Sequence, residues 1–190
     1  MVVNRRNIEA LAQSVVELSK HRVIWRELTN KDYKTVREST FKDYEDFFTL
    51  TVDAHFLAFC IKTSALYDKS PDVISIPNEL EDIQDEALKK TLKEELRNKN
   101  EFISRVKKVR HKVFAHRDLV LDPSELFKEA RIRPDQMKSF TNFAQLQVGR
   151  LLEYFGGDTC NEFVQNCEIF EENAREDTAR MIALLVGKTN

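Results

Sequence analysis

A chain of 190 residues with 42% hydrophobic content and thirteen phenylalanines has the length of one domain and enough apolar mass for one substantial core. Although 33% of the residues are charged, the formal net charge is only −2, so the chain as a whole lacks the basic character of a general polyanion binder. Four glycines and four prolines, against averages of about 7% and 5% in ordinary chains, are too few turn-formers for an all-β fold and favour long helices.

Cys60, Cys160 and Cys167 are odd in number and lack CxxC spacing, so they are expected to be reduced thiols in a cytoplasmic protein. The opening MVVNRRNIEALAQ has no apolar run of the kind a secretory signal needs. No segment approaches ~18 uninterrupted apolar residues, so no membrane span is expected. His21 and His55 have no neighbour at metal-ligand spacing and are read as structural, and no glycine-rich phosphate loop or dinucleotide fingerprint is present. Neither a metal nor a cofactor is expected.

Ile8, Leu11, Val15 and Leu18 recur at three or four residues and predict a first helix, with Trp25 near its end and the polar Asn30-Lys31-Asp32 as its stop. Phe41, Tyr44, Phe48, Val52, Phe56 and Phe59 predict a long aromatic second helix behind Thr40 as N-cap, with Asp43 three residues on. Residues 64–77 read as a connection, able to include a short extended piece. Asn78 with Glu81 has the form of a capping box opening a helix through Leu88, Leu92 and Leu96, which ends near Asn98 to Asn100.

Phe102, Val106, Val109 and Val113 continue at helical spacing to about residue 116, as a separate helix or after a kink. Asp122-Pro123-Ser124-Glu125 predicts a short helix to about Ala130. Pro134 opens another, with Met137, Phe140, Ala144, Val148, Leu151 and Phe155 on one face, and Gly156-Gly157 stops it. Phe163, Cys167, Phe170, Ala174, Met181 and Leu185 mark the last. The expectation is a single all-α domain, an antiparallel bundle of six or seven helices.

Chemistry concentrates in residues 105–117, RVKKVRHKVFAHR, which hold six Lys or Arg, two His and no carboxylate. With a total of −2, the rest of the chain carries −8, so the stretch makes a local positive field on an otherwise acidic body. On composition alone a solvated amphipathic face accounts for it. His116 lies seven residues after Val109 and extends the apolar row to the helix end, where it serves either as a hydrogen-bonded structural residue or as a partly desolvated acid/base group. Arg110 lies about 240° around an ideal helix from His116, so spacing alone does not put both on one face.

The segment R-H-K-V-F-A-H resembles the Arg-x4–6-His motif, with a polar residue after the arginine, of the HEPN superfamily of small helical bundles. The wider R-H-K-V-F-A-H-R-D, preceded by A-L-Y-D at residues 65–68 and a first helix ending around Trp25, is similar to the abortive-infection branch of toxin and phage-defence proteins. The resemblance spans roughly residues 1–155, leaving 158–190 as an additional C-terminal helix. It implies metal-independent RNA cleavage at a composite site formed by a homodimer. In that scheme His116 is the acid/base, Arg110 stabilises charge on phosphorus, and His111 orients groups or contacts phosphate, while Arg105, Lys107, Lys108, Lys112 and Arg117 hold the strand. An antitoxin or regulatory protein is the further partner implied.

Toxins of this superfamily that are silenced by a nucleotidyltransferase usually carry a tyrosine two residues beyond the motif histidine; here the residue is Asp118, which puts that mode of control in doubt. Asp118 either orients His116 or pairs with an arginine, or is a helix-end residue. Two other readings use the same residues: a non-catalytic bundle that binds RNA or an acidic protein through the basic helix, and a dimerisation module built on the phenylalanine-rich helices.

Overall fold

The structure, a computed structural model, describes residues 2–30, 42, 44–115 and 131–186. Among these residues there are seven helices and no strand, as an all-α bundle requires. They are α1 (Val2–Leu28), α2 (Glu45–Leu66), α3 (Ile76–Glu79), α4 (Glu86–Arg97), α5 (Asn100–Ala115), α6 (Pro134–Tyr154) and α7 (Cys160–Val186), with a 3-10 turn at Leu80–Asp82 after α3. No described helix is long and apolar enough to cross a membrane.

The helical spacing read from the sequence is realised as burial. Leu11, Val15 and Leu18 of α1, Phe56 and Phe59 of α2, Leu92 and Leu96 of α4, Val106 and Val109 of α5, Phe140, Ala144 and Val148 of α6, and Phe163 and Cys167 of α7 form one continuous cluster. At ~1.5–3 kcal/mol for each large side chain removed from water, this cluster is the main stabilising term. α1 lies at the centre and packs against α2, α6 and α7, while α5 packs against α2. Glu17 pairs with Lys62, and further along α1 His21 meets His55, so α1 and α2 run antiparallel. Arg22 meets Glu171 and Glu27 meets Arg175, so α7 returns beside α1 in the same direction. α6 and α7 cross closely at Gly149, where an added Cβ would stand 2.8 Å from the Cys160 sulfur.

Several expectations change in detail. The capping box expected at Asn78 does not open α4: Asn78 lies inside α3, and its amide donates to the carbonyls of Ser70 (2.7 Å) and Val73 (2.8 Å), pinning the loop before it. Asp85 is the actual cap of α4, its carboxylate accepting from the backbone N–H of Ala87 at 2.9 Å and Leu88 at 3.0 Å. In the connection after α2, Ser75 is extended (φ −151°, ψ 155°) and α3 begins at Ile76. Tyr44 is half-exposed because it precedes the first turn of α2 and so lies off its buried row.

On α7, Phe170 and Met181 face solvent in part, and the buried row runs instead through Phe163, Cys167, Thr178 and Ile182. Glu171 extends that row as the partner of Arg22, so a search for apolar residues alone misreads the face. The stop of α6 is as read: Gly156 adopts φ 75°, and the N–H of Gly157 closes on the Leu152 carbonyl at 2.8 Å. Thr159 and Glu162 then cap α7 reciprocally. Lys31, Asp32, Thr40, Phe41 and Asp43, and the short helix expected from Asp122 to Ala130, lie outside the described residues.

Candidate nucleic-acid interface

Residues 105–115 of the basic stretch occupy the last three turns of α5. Phe102, Ile103, Val106 and Val109 point into the core, which leaves the intervening positions for the surface. Asn100, Ser104, Lys107 and His111, spaced 4, 3 and 4, share one wall of a groove of about 610 Å³, flanked by Lys108 and Lys112. Tyr67 and Lys69, from the end of α2 and the loop after it, with Pro77 of α3 and Leu96 of α4, complete the lining.

Tyr67 holds that loop in place. It is 1% exposed, packs edge-on against Phe140 with ring centroids 5.3 Å apart, and its hydroxyl stands 3.5 Å from Gln147 Oε1. Burial pushes the phenol well above its ordinary pKa, so it stays protonated. Tyr67 is thus the residue that closes the C-terminal end of α2 over the core. Its carbonyl, at the negative end of α2, accepts a hydrogen bond of 2.8 Å from Lys107 Nζ, which ties α5 to the loop.

The groove is electrostatically one-sided. Lys107 is half-buried, and its pKa is lowered first by that burial and then by the charges of Lys69 and Arg110, with Asp68 acting the other way. Asp68 is held below the usual carboxylate range chiefly by the backbone N–H and hydroxyl of Ser70, each 2.9 Å from Oδ1, and also by Lys107 and Arg110. Among the described residues neither Lys69 nor Lys108 forms an ion pair. A low-dielectric floor with cations at its rim attracts anionic oxygens, phosphates above all.

The expected site residues therefore divide. Lys107, Lys108, His111 and Lys112 line the groove together, and Arg110 is exposed on the flank where its charge reaches Asp68. Arg105 turns elsewhere: Nη1 donates to the Arg131 carbonyl at 2.8 Å and the guanidinium lies 5.8 Å from the Phe102 ring centroid. It braces the start of the segment before α6. His116, Arg117 and Asp118 lie outside the described residues. Lys69, Asn100 and Ser104 join the groove without having been singled out; the signals were a lysine after the helix-closing Tyr-Asp pair and a polar row at 4, 3, 4 spacing on the basic helix. Among the described residues no group of three or more His, Cys, Asp or Glu is arranged to hold a metal ion.

An all-α bundle whose basic helix presents an arginine followed by a polar residue is the architecture of a HEPN-type domain. Residues 5–166 match the AbiU2 family, a HEPN-type abortive-infection family, and the chain belongs to it. No curated protein and no solved structure matches the chain.

Proposed function

We propose that this chain is a metal-independent endoribonuclease of a phage-defence or toxin system, acting as a homodimer. The observation that carries the reading is the joining of Lys107, Lys108, His111 and Lys112 in one groove beside Arg110, on the helix that leads into His116, in a chain of an abortive-infection family. In this scheme the 2′-hydroxyl gives its proton to His116 and its oxygen bonds to the adjacent phosphorus. The bond from phosphorus to the 5′-oxygen breaks, and that oxygen takes a proton from a second imidazole, His111 or the His116 that pairing of two copies supplies. Arg110 bridges the non-bridging oxygens as they gain charge. The products are a 2′,3′-cyclic phosphate and a 5′-hydroxyl. An antitoxin or regulatory protein would cover the same basic face, and the cytoplasm is where its RNA would be met.

The test is cleavage of mixed single-stranded RNA in EDTA, with fragment ends mapped. The wild type should leave cyclic phosphates, while His116→Ala should be slower by about 10²–10⁴-fold and Arg110→Ala by about 10²–10³-fold. Equal cutting by wild type and His116→Ala, or none by either, would overturn the nuclease reading and leave a binding module on the same helix.

A further inference from the structure

The groove beside α5 has more structure than a stripe of lysines needs. Neutralising a phosphate backbone needs cations alone and no apolar surface among them. Here the cations surround a concavity of about 610 Å³ whose floor is apolar, formed by Pro77, Leu96 and Ile103. Leu96 and Ile103 are 9% and 6% exposed, so little of either remains in water and what remains faces this space. The volume falls within the ~300–1,000 Å³ usual for sites that enclose a small ligand.

We infer that this groove seats one unstacked nucleotide, its base against Pro77, Leu96 and Ile103 and its phosphate on Lys69 and Lys108. The inference rests on the proposed action on RNA and adds to it a base-reading pocket. The chemistry of the walls fits such a ligand. A base has an apolar face that gains from leaving water and an edge of donors and acceptors. The exposed Asn100 amide and Ser104 hydroxyl, one turn apart on α5, supply both donor and acceptor groups at the wall. Lys107 is held on the Tyr67 carbonyl, and Lys69 and Lys108 both line the groove, where a phosphate can draw on their charge. Bases inside a duplex are stacked and paired and cannot enter, so the groove selects single strands or unpaired loops.

The decisive probe is a fluorescent single-stranded oligonucleotide with 2′-O-methyl groups, which has no 2′ proton to lose and reports binding apart from cleavage. Anisotropy titrations with the full chain should show binding, and Ser104→Trp, which fills the groove and leaves every lysine in place, should weaken it tenfold or more. Ser104 is exposed, so the variant should keep its melting temperature; Asn100→Trp, one turn away on the same wall, blocks the groove independently if it does not. Displacement of the oligonucleotide by AMP or UMP would make the free nucleotide a ligand, whereas displacement by a second oligonucleotide alone would assign the pocket to the strand. Unchanged binding by both tryptophan variants, equal affinity for duplex, or displacement by an acidic peptide at equal concentration would overturn the inference. Binding that the tryptophan variants abolish, without cleavage of the matching 2′-hydroxyl RNA, would remove the nuclease and keep the pocket.

Discussion

Cations are treated in opposite ways at the two ends of this bundle's logic. Between α1, α6 and α7, Arg22 is buried and meets Glu171 at 2.5 Å, and Gln145 bridges that carboxylate at 3.0 Å to the Ser19 hydroxyl at 2.9 Å. Beside α5, Lys69 and Lys108 stand around an apolar floor and, among the described residues, have no carboxylate paired with them. The first arrangement closes its charge within the protein and serves the fold. The second leaves its charge unclosed by carboxylates, where the RNA proposed above would meet it.

Breaking the interior clamp should have the largest effect on stability. Glu171→Ala leaves a buried guanidinium uncompensated and should cost ~3 kcal/mol, a fall of roughly 6–12 °C in melting temperature for a chain of this size. A loss of a degree or less in a thermal melt would place the pair with ordinary surface ion pairs and dissolve the contrast.

The seam between α1 and α2 should add a pH dependence. His21 and His55 share a contact of 2.9 Å between their Nδ1 atoms, which needs one ring to donate and the other to accept, so at least one must be neutral. Burial lowers both pKa values from the ordinary 6.5; for His21 the neighbouring His55 and Lys62 add to this and Glu17 opposes it. The unfolded chain therefore binds protons first as pH falls: this stability is fully present above ~6.5 and is lost as pH drops toward the folded values. Melting at pH 7.5 should exceed that at pH 5.5, and His55→Phe should flatten the difference. A melting temperature that rises in acid would contradict the assignment.

The groove should respond in the reverse sense, with much binding lost and little stability. Lys69→Ala with Lys108→Ala should leave the melting temperature within the ~0.5 kcal/mol of ordinary surface changes. In RNA titrations across salt concentration, the slope of log affinity against log salt should shrink by about 0.7 for each lysine removed. An unchanged slope would mean that these lysines meet no phosphate.

Much of this was legible in the chain. The spacing of Phe140, Ala144 and Val148, the glycine stop at Gly156 and the basic row on α5 are local patterns, each with its cause within a turn or two of sequence. What escaped had distant causes. Asn78 has the look of a cap, yet the carbonyls of Ser70 and Val73 hold its amide, and Asp85 caps α4 instead. Glu171 looks like a surface residue on α7 until Arg22, 149 positions earlier, is placed against it.

The sequence by itself determined an all-helical chain with its positive charge gathered on one helix, because helical periodicity and charge clustering are properties of neighbours along the chain. The tertiary structure alone decided that this charge borders a groove: Tyr67 must be anchored on Phe140 before the loop carrying Lys69 can face α5. It also decided which lysines face the groove and which cation, Arg105, braces a backbone carbonyl, since contacts between distant segments, unlike helical faces, follow only from packing the whole core.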